Sequence, residues 1–252
     1  MIESFVSRML LVAIRVGGLM TFAPFFSNAS IAPLVKAGFT AFLTFLLLPV
    51  YAAGPSPSSP ATWLAMAFSE AALGLLMGLT TQFVIEGMIL AGQVISFQFG
   101  FSLENIIDPN TSVEITVLAT LHELIALLIF LELGAHRWLL RAVAVSFRMI
   151  PPGGLHAAHL LPGEVLRAAT SLWLIGTEIA FPVIVVTMLT DFAVGFLTKA
   201  SPQFPALFFG ISVKALLGLA VLAAAVAFWP RILGHYFFHA LEHLESLLSL
   251  AR

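Results

Sequence analysis

Long apolar runs separated by short polar breaks make up most of the chain. A helix that crosses a bilayer needs about 20 mostly apolar residues. Six regions approach or exceed that pattern, near residues 6–25, 35–53, 62–92, 116–134, 168–198 and 207–229. The pattern predicts an all-α, polytopic integral membrane protein forming one domain over residues 1–252. The third and fifth regions are longer than one crossing needs, so they tilt, break in two or project beyond the lipid. The breaks are legible: PSPSSP at Pro55–Pro60 cannot continue a helix, PPGG at Pro151–Gly154 is a turn signal, and SPQFP at Ser201–Pro205 starts the last apolar region. From Arg231 to Arg252, apolar residues recur at helical spacing with mixed charges opposite. This predicts an amphipathic tail helix lying on the membrane surface or against a partner.

Composition sharpens the class. Apolar residues make up 60% and charged residues 10% of the 252 residues, against about a quarter charged in a soluble domain. Mean hydropathy is +1.04. A net charge of −2 offers nothing to nucleic acid. The absence of cysteine excludes disulfides, thiol catalysis and cysteine-bound metals. Glu3 and Arg15 spoil a cleaved signal peptide, so the first apolar region reads as a retained membrane segment. If all six regions cross once, Arg8, Arg137, Arg141, Arg148, Arg167, Arg231 and Arg252 fall on one side, and Lys36 and Lys199 on the other. That bias favours both termini inside.

Seven charges interrupt the apolar regions: Arg15, Glu70, Glu86, Glu123, Glu178, Asp191 and Lys214. Each costs at least about 2.5–3.5 kcal/mol at the bilayer centre, so they do not all face lipid. Either they line an ion or proton pathway, or they pair at helix and subunit interfaces; Asp191 and Lys214 suit a pair across the fifth and sixth regions. His235, His239 and His243 recur every four residues, along one side of a helix. Two histidines so spaced can share a metal, but no further ligand is fixed by the sequence, and the alternative is the polar edge of an amphipathic helix. LHELIALL at Leu121–Leu128 begins like a zinc-protease motif but carries Ala126 where the second histidine is needed. No phosphate loop or nucleophile elbow is present, so neither an enzyme nor a cofactor is expected.

One connection is unlike the others. FQFGFSLENIIDPNTSVEI, Phe97–Ile115, joins the third and fourth regions. It is too apolar for a solvated linker and too broken to span a bilayer. Asp108-Pro109-Asn110 is a turn signal. Thr111-Ser112-Val113-Glu114 matches a capping box that starts the next helix near Ser112. Phe97, Phe99, Phe101, Leu103, Ile106 and Ile107 crowd around Gly100. Irregular backbone at membrane depth is tolerated only when buried in protein or lining water.

Four stretches carry a resemblance: Ile14–Pro49, Gly92–Pro109, Leu128–Gly153 and Thr198–Leu219. In that order, over most of the chain, they resemble the FliR family of flagellar export-gate membrane proteins, whose virulence-secretion counterpart is SctT. The resemblance implies a subunit that joins FliP- and FliQ-like subunits in a gate within the flagellar basal body, at the bacterial inner membrane. It implies an FlhB-like protein at the cytoplasmic side, and unfolded flagellar proteins passing through the pore. The family's loop at this position helps plug that pore. It corresponds to Phe99–Thr116 here, with Phe99, Gly100, Phe101, Ser102, Leu103, Glu104, Ile106, Ile107, Asp108 and Pro109 as plug residues. Glu86, Glu178, Asp191 and Lys214 would then face neighbouring subunits. A virulence-secretion gate, a secondary transporter and an intramembrane metalloenzyme are the alternatives.

Overall fold

The computed structural model describes residues 2–24, 26–27, 31–51, 59–100, 116–152, 161–201 and 206–250. Among them every regular element is helical, and the chain is an all-α polytopic membrane protein. The helices are α1 (Ile2–Phe22), α2 (Pro33–Tyr51), α3 (Pro60–Phe99), α4 (Val117–Glu132), α5 (Ala135–Met149), α6 (Leu161–Ala200), α7 (Ala206–Ala225) and α8 (Trp229–Leu250). A 3-10 turn, Val226–Phe228, links α7 to α8.

Local chemistry sets several boundaries. Ser59 caps α3: its hydroxyl accepts the Thr62 amide at 3.2 Å, and the Ser59 amide donates to the Thr62 hydroxyl at 2.9 Å. Pro60 takes the first helical position, where a missing N–H costs nothing. Gly134, at φ +67°, ends α4 in the left-handed conformation that glycine adopts without strain. The chain then restarts as α5, bent by 65° from α4. Ile150 ends α5 in an extended conformation, as the residue before Pro151 must.

Four stretches are long and apolar enough to cross a membrane: Phe5–Phe22, Pro60–Phe99, Gly163–Ala200 and Phe209–Leu244. The bent α4–α5 pair makes a possible fifth. This differs from six single crossings. With 16 residues, α4 is about 24 Å long, short of the roughly 30 Å hydrocarbon core. The 40 residues of α3 and of α6 give about 60 Å each, so both outrun a single crossing. The arginines counted in a loop, Arg137, Arg141 and Arg148, lie on the exposed face of α5, opposite its buried residues.

The described chain divides into two compact units. The first comprises residues 1–84, 130–170 and 235–252. Its core joins Val12, Val16 and Leu19 of α1, Leu43 and Leu48 of α2, Leu73 and Met77 of α3, Val143 and Phe147 of α5, and Leu241 and Leu244 of α8. A Cβ on Gly74 would overlap the carbonyl oxygen of Arg15, and one on Gly78 would come within 2.8 Å of the Leu19 carbonyl oxygen. These glycines, four residues apart, let α1 and α3 meet backbone to backbone. Phe237, Leu241 and Leu244 of the tail helix are buried in this unit. Phe237 packs on Phe130 with ring centroids 5.3 Å apart, and Leu241 and Leu244 enter the core.

The second unit comprises residues 85–129 and 171–234. Ile85, Met88, Ile95 and Phe99 of α3, Ala119 and Ala126 of α4, Ile175, Ile179 and Val183 of α6, and Trp229 of α8 are buried there. His122 is fully buried, with its Nδ1 2.7 Å from the Leu118 carbonyl oxygen and its ring 4.7 Å from that of Trp229.

Candidate functional site

In the second unit, α3 and α4 bring the two ends of the acidic, apolar connection together. At the end of α3, the Gly100 amide donates to the Phe97 carbonyl at 3.1 Å, and Gly100 turns out of the helix at φ +79°. At the start of α4, the Thr116 hydroxyl accepts the Ala119 amide at 3.3 Å, an N-cap contact. The hydroxyls of Ser96 and Thr116 lie 2.7 Å apart. Phe99 is 2% exposed, and its ring reaches α7 at Gly218, where an added Cβ would overlap ring carbons Cε1 and Cζ. Thus Phe99 is packed at the base of the connection, and Gly100 turns the chain there. Phe101, Ser102, Leu103, Glu104, Ile106, Ile107, Asp108 and Pro109 lie outside the described residues, as does the capping box at Thr111–Glu114. The described helix carrying the fourth apolar run begins at Val117.

The same unit presents a mixed outer surface. Lys214 Nζ of α7 donates to Asp191 Oδ2 of α6 at 2.6 Å. The lysine side chain is 15% exposed and the aspartate 58%. Large apolar side chains surround the acid on the exposed side of α6: Phe181, Met188, Leu189, Phe192 and Phe196. A groove of about 510 Å³ runs between α6 and α7, lined by Val186, Leu189, Val194, Leu197, Phe209, Val213 and Leu217 among others. Glu178 is exposed and Glu86 half-buried.

The sequence marked Arg15 and Glu70 as charges within apolar regions, and the structure joins them in the first unit. Arg15 and Glu70 are both fully buried and form a two-pronged ion pair, Nε–Oε2 at 2.5 Å and Nη2–Oε1 at 3.0 Å. The Arg15 Nη1 also donates to the Ser146 hydroxyl at 3.1 Å, and Nη2 to the Ile150 carbonyl at 3.0 Å. The guanidinium lies 4.2 Å from the Phe147 ring centroid. The kink before Pro151 leaves the Ile150 carbonyl free of the helix and available to the arginine. The residues stand 55 and 135 positions apart, so no local motif announced them.

The three histidines of α8 do line up, with ring centroids 6.1 and 6.5 Å apart. His243 Nε2 meets Glu164 Oε2 of α6 at 3.0 Å. Among the described residues, no three histidine or carboxylate groups are placed to hold a metal.

Residues 6–240 match the family described as bacterial export proteins, family 1. The chain belongs to that family. Among its relatives is the flagellar biosynthetic protein FliR of Escherichia coli K12, 29% identical over 240 residues, covering 94% of this chain and 90% of the relative. The FliR protein of Bacillus subtilis 168 is 26% identical over 247 residues, covering 96% and 94%. The match of this bacterial export protein runs through the paired ends of the connection, the Asp191–Lys214 pair and the buried arginine alike.

Proposed function

We propose that this chain is a non-enzymatic subunit of the flagellar type III protein-export gate at the bacterial inner membrane. With FliP- and FliQ-like subunits it forms the channel through which unfolded flagellar proteins leave the cell, and an FlhB-like protein docks on its cytoplasmic side. One observation carries this reading: the family match extends over nearly the whole chain, with relatives named flagellar biosynthetic protein FliR.

The mixed surface of the second unit supports it. A carboxylate amid phenylalanines suits lipid poorly and water poorly, but suits a neighbouring membrane helix that offers donors and apolar contact. Asp191, Lys214, Glu86 and Glu178 act there as subunit-interface charges.

The segment Phe99–Thr116 closes the channel at rest, with Phe99 and Thr116 at its packed base. Phe101, Leu103, Ile106 and Ile107 supply apolar bulk, and an apolar constriction gates by dewetting. Glu104 and Asp108 keep the segment wettable, so it yields when substrate arrives. The paired ends support this reading, because a plug must be anchored while its tip moves.

The test is to purify the tagged chain from cells and to delete Leu103–Asn110. The intact chain should co-purify with FliP-, FliQ- and FlhB-like proteins, and the deletion should assemble normally yet pass small ions. Phe101→Ala should leak less. A functional monomer would end the gate reading. A sealed complex carrying the deletion would end the plug reading alone.

A further inference from the structure

The observations that reach furthest concern the footing of the connection, not its tip. Ser96 is fully buried in the last turn of α3, and its hydroxyl meets that of Thr116 at 2.7 Å. Three residues on, Phe99 fills a slot on α7 that exists only because residue 218 has no side chain. Two unrelated interactions, one polar and one steric, thus act on the same short stretch. Together they fix the end of α3 to the start of α4 and to α7.

We propose that Ser96, Phe99, Thr116 and Gly218 form a permanent footing, which stays closed while substrate passes. These are positioning residues. They fix where the connection is rooted, and the positive φ of Gly100 turns the chain out of α3. The inference rests on the reading of Phe99–Thr116 as the channel-closing segment, and adds that the segment works from a fixed root. The alternative, in which α3 and α4 part to open the channel, would require the buried hydroxyl pair to break and the Phe99 ring to leave α7.

The chain has no cysteine, so a cysteine pair reports on the footing without background. Hydroxyls 2.7 Å apart bring their Cβ atoms toward the roughly 4 Å that a disulfide spans. In cells carrying S96C/T116C in the assembled gate, mild oxidation should join the two thiols. Secretion of a flagellar substrate should then continue at the level of the same cells under reductant. Secretion lost on oxidation and regained on reduction would overturn the proposal, since the ends would have to part. Failure of the thiols to join in assembled gates would overturn it too.

Should the cysteine pair block assembly, a size exchange serves instead. Gly218→Ala places a methyl where the Phe99 ring sits, and should reduce secretion or open an ion leak in assembled gates. Adding Phe99→Leu removes the overlapping ring carbons and should restore both. A silent Gly218→Ala, or a double variant with no recovery, would overturn the proposal. The two readings fail separately. A sealed gate after deletion of Leu103–Asn110 removes the plug and leaves the footing, whereas a leaking deletion with oxidation-blocked secretion removes the footing and leaves the plug.

Discussion

Replacing Glu70 by alanine should destabilise the protein more than any single change on its surface. The substitution removes both prongs of the ion pair and leaves the Arg15 guanidinium fully buried. Breaking a buried pair on one side costs about 3–5 kcal/mol, because the surviving charge loses its counter-ion. Arg15 keeps the Ser146 hydroxyl at 3.1 Å, the Ile150 carbonyl at 3.0 Å and the Phe147 ring at 4.2 Å, so the lower end, about 3 kcal/mol, applies. For a chain of this size that lowers the melting temperature by roughly 6–12 °C. Ser146→Ala removes one neutral acceptor and should cost about 1 kcal/mol. Replacing Arg15 and Glu70 together by leucine should cost less than the sum of the two single changes, since no lone charge remains. Thermal unfolding of the detergent-solubilised protein, with its level in membranes, measures each. A Glu70→Ala variant no less stable than Ser146→Ala would refute the claim that the pair pins α1 to α3.

Three further outcomes follow from particular contacts. Gly74→Val puts a side chain into the Arg15 carbonyl and should cost about 1–3 kcal/mol or more, read as reduced accumulation in membranes. Asp191→Asn removes the charge facing Lys214 and should weaken gate assembly, read by the yield of complex on gel filtration; normal assembly with only proton coupling lost would reverse the assignment. His239→Ala should leave zinc content unchanged, because among the described residues no three histidine or carboxylate groups are placed to hold a metal; a stoichiometric zinc lost with His239 would show otherwise.

The helices were legible wherever one property repeated. Apolar runs located α1, α2, α3, α4, α6 and α7, and the 3.6-residue stripe located α8. α5 was missed because its arginines hid a stripe of the same period: Ala135, Leu139, Ala142, Val143, Ser146 and Phe147 are its buried residues. Run-counting by hydropathy passes over an amphipathic helix that packs inside a membrane protein. The Gly74–Gly78 spacing was readable as a close-packing signal; it was overshadowed by the length of the run around it. The Arg15–Glu70 pair was half legible. Each residue stood out as a charge in an apolar region, but nothing local could join positions 55 apart. The base of the connection was legible in composition and not in detail, for Ser96, Thr116 and Gly218 are ordinary residues until the helices bring them together.

The two units treat their costly charges differently, and the difference bears on assembly. In the first, Arg15 and Glu70 neutralise each other with no exposure at all, so that pair is complete within one chain. In the second, Asp191 meets Lys214 and still leaves more than half of its side chain exposed, next to Phe192 at 63% and Leu189 at 62%. Lipid accepts the phenylalanine and rejects the carboxylate; water does the reverse. A protein helix is the one environment that satisfies both, offering apolar contact along its length and a donor at one position. Asp191→Asn therefore separates the two roles a charged pair can have. If the pair only ties α6 to α7, asparagine keeps a hydrogen bond to Lys214 and the isolated chain and the assembled gate should weaken together. If Asp191 also serves a neighbour, the isolated chain should keep its melting temperature while the yield of assembled gate falls.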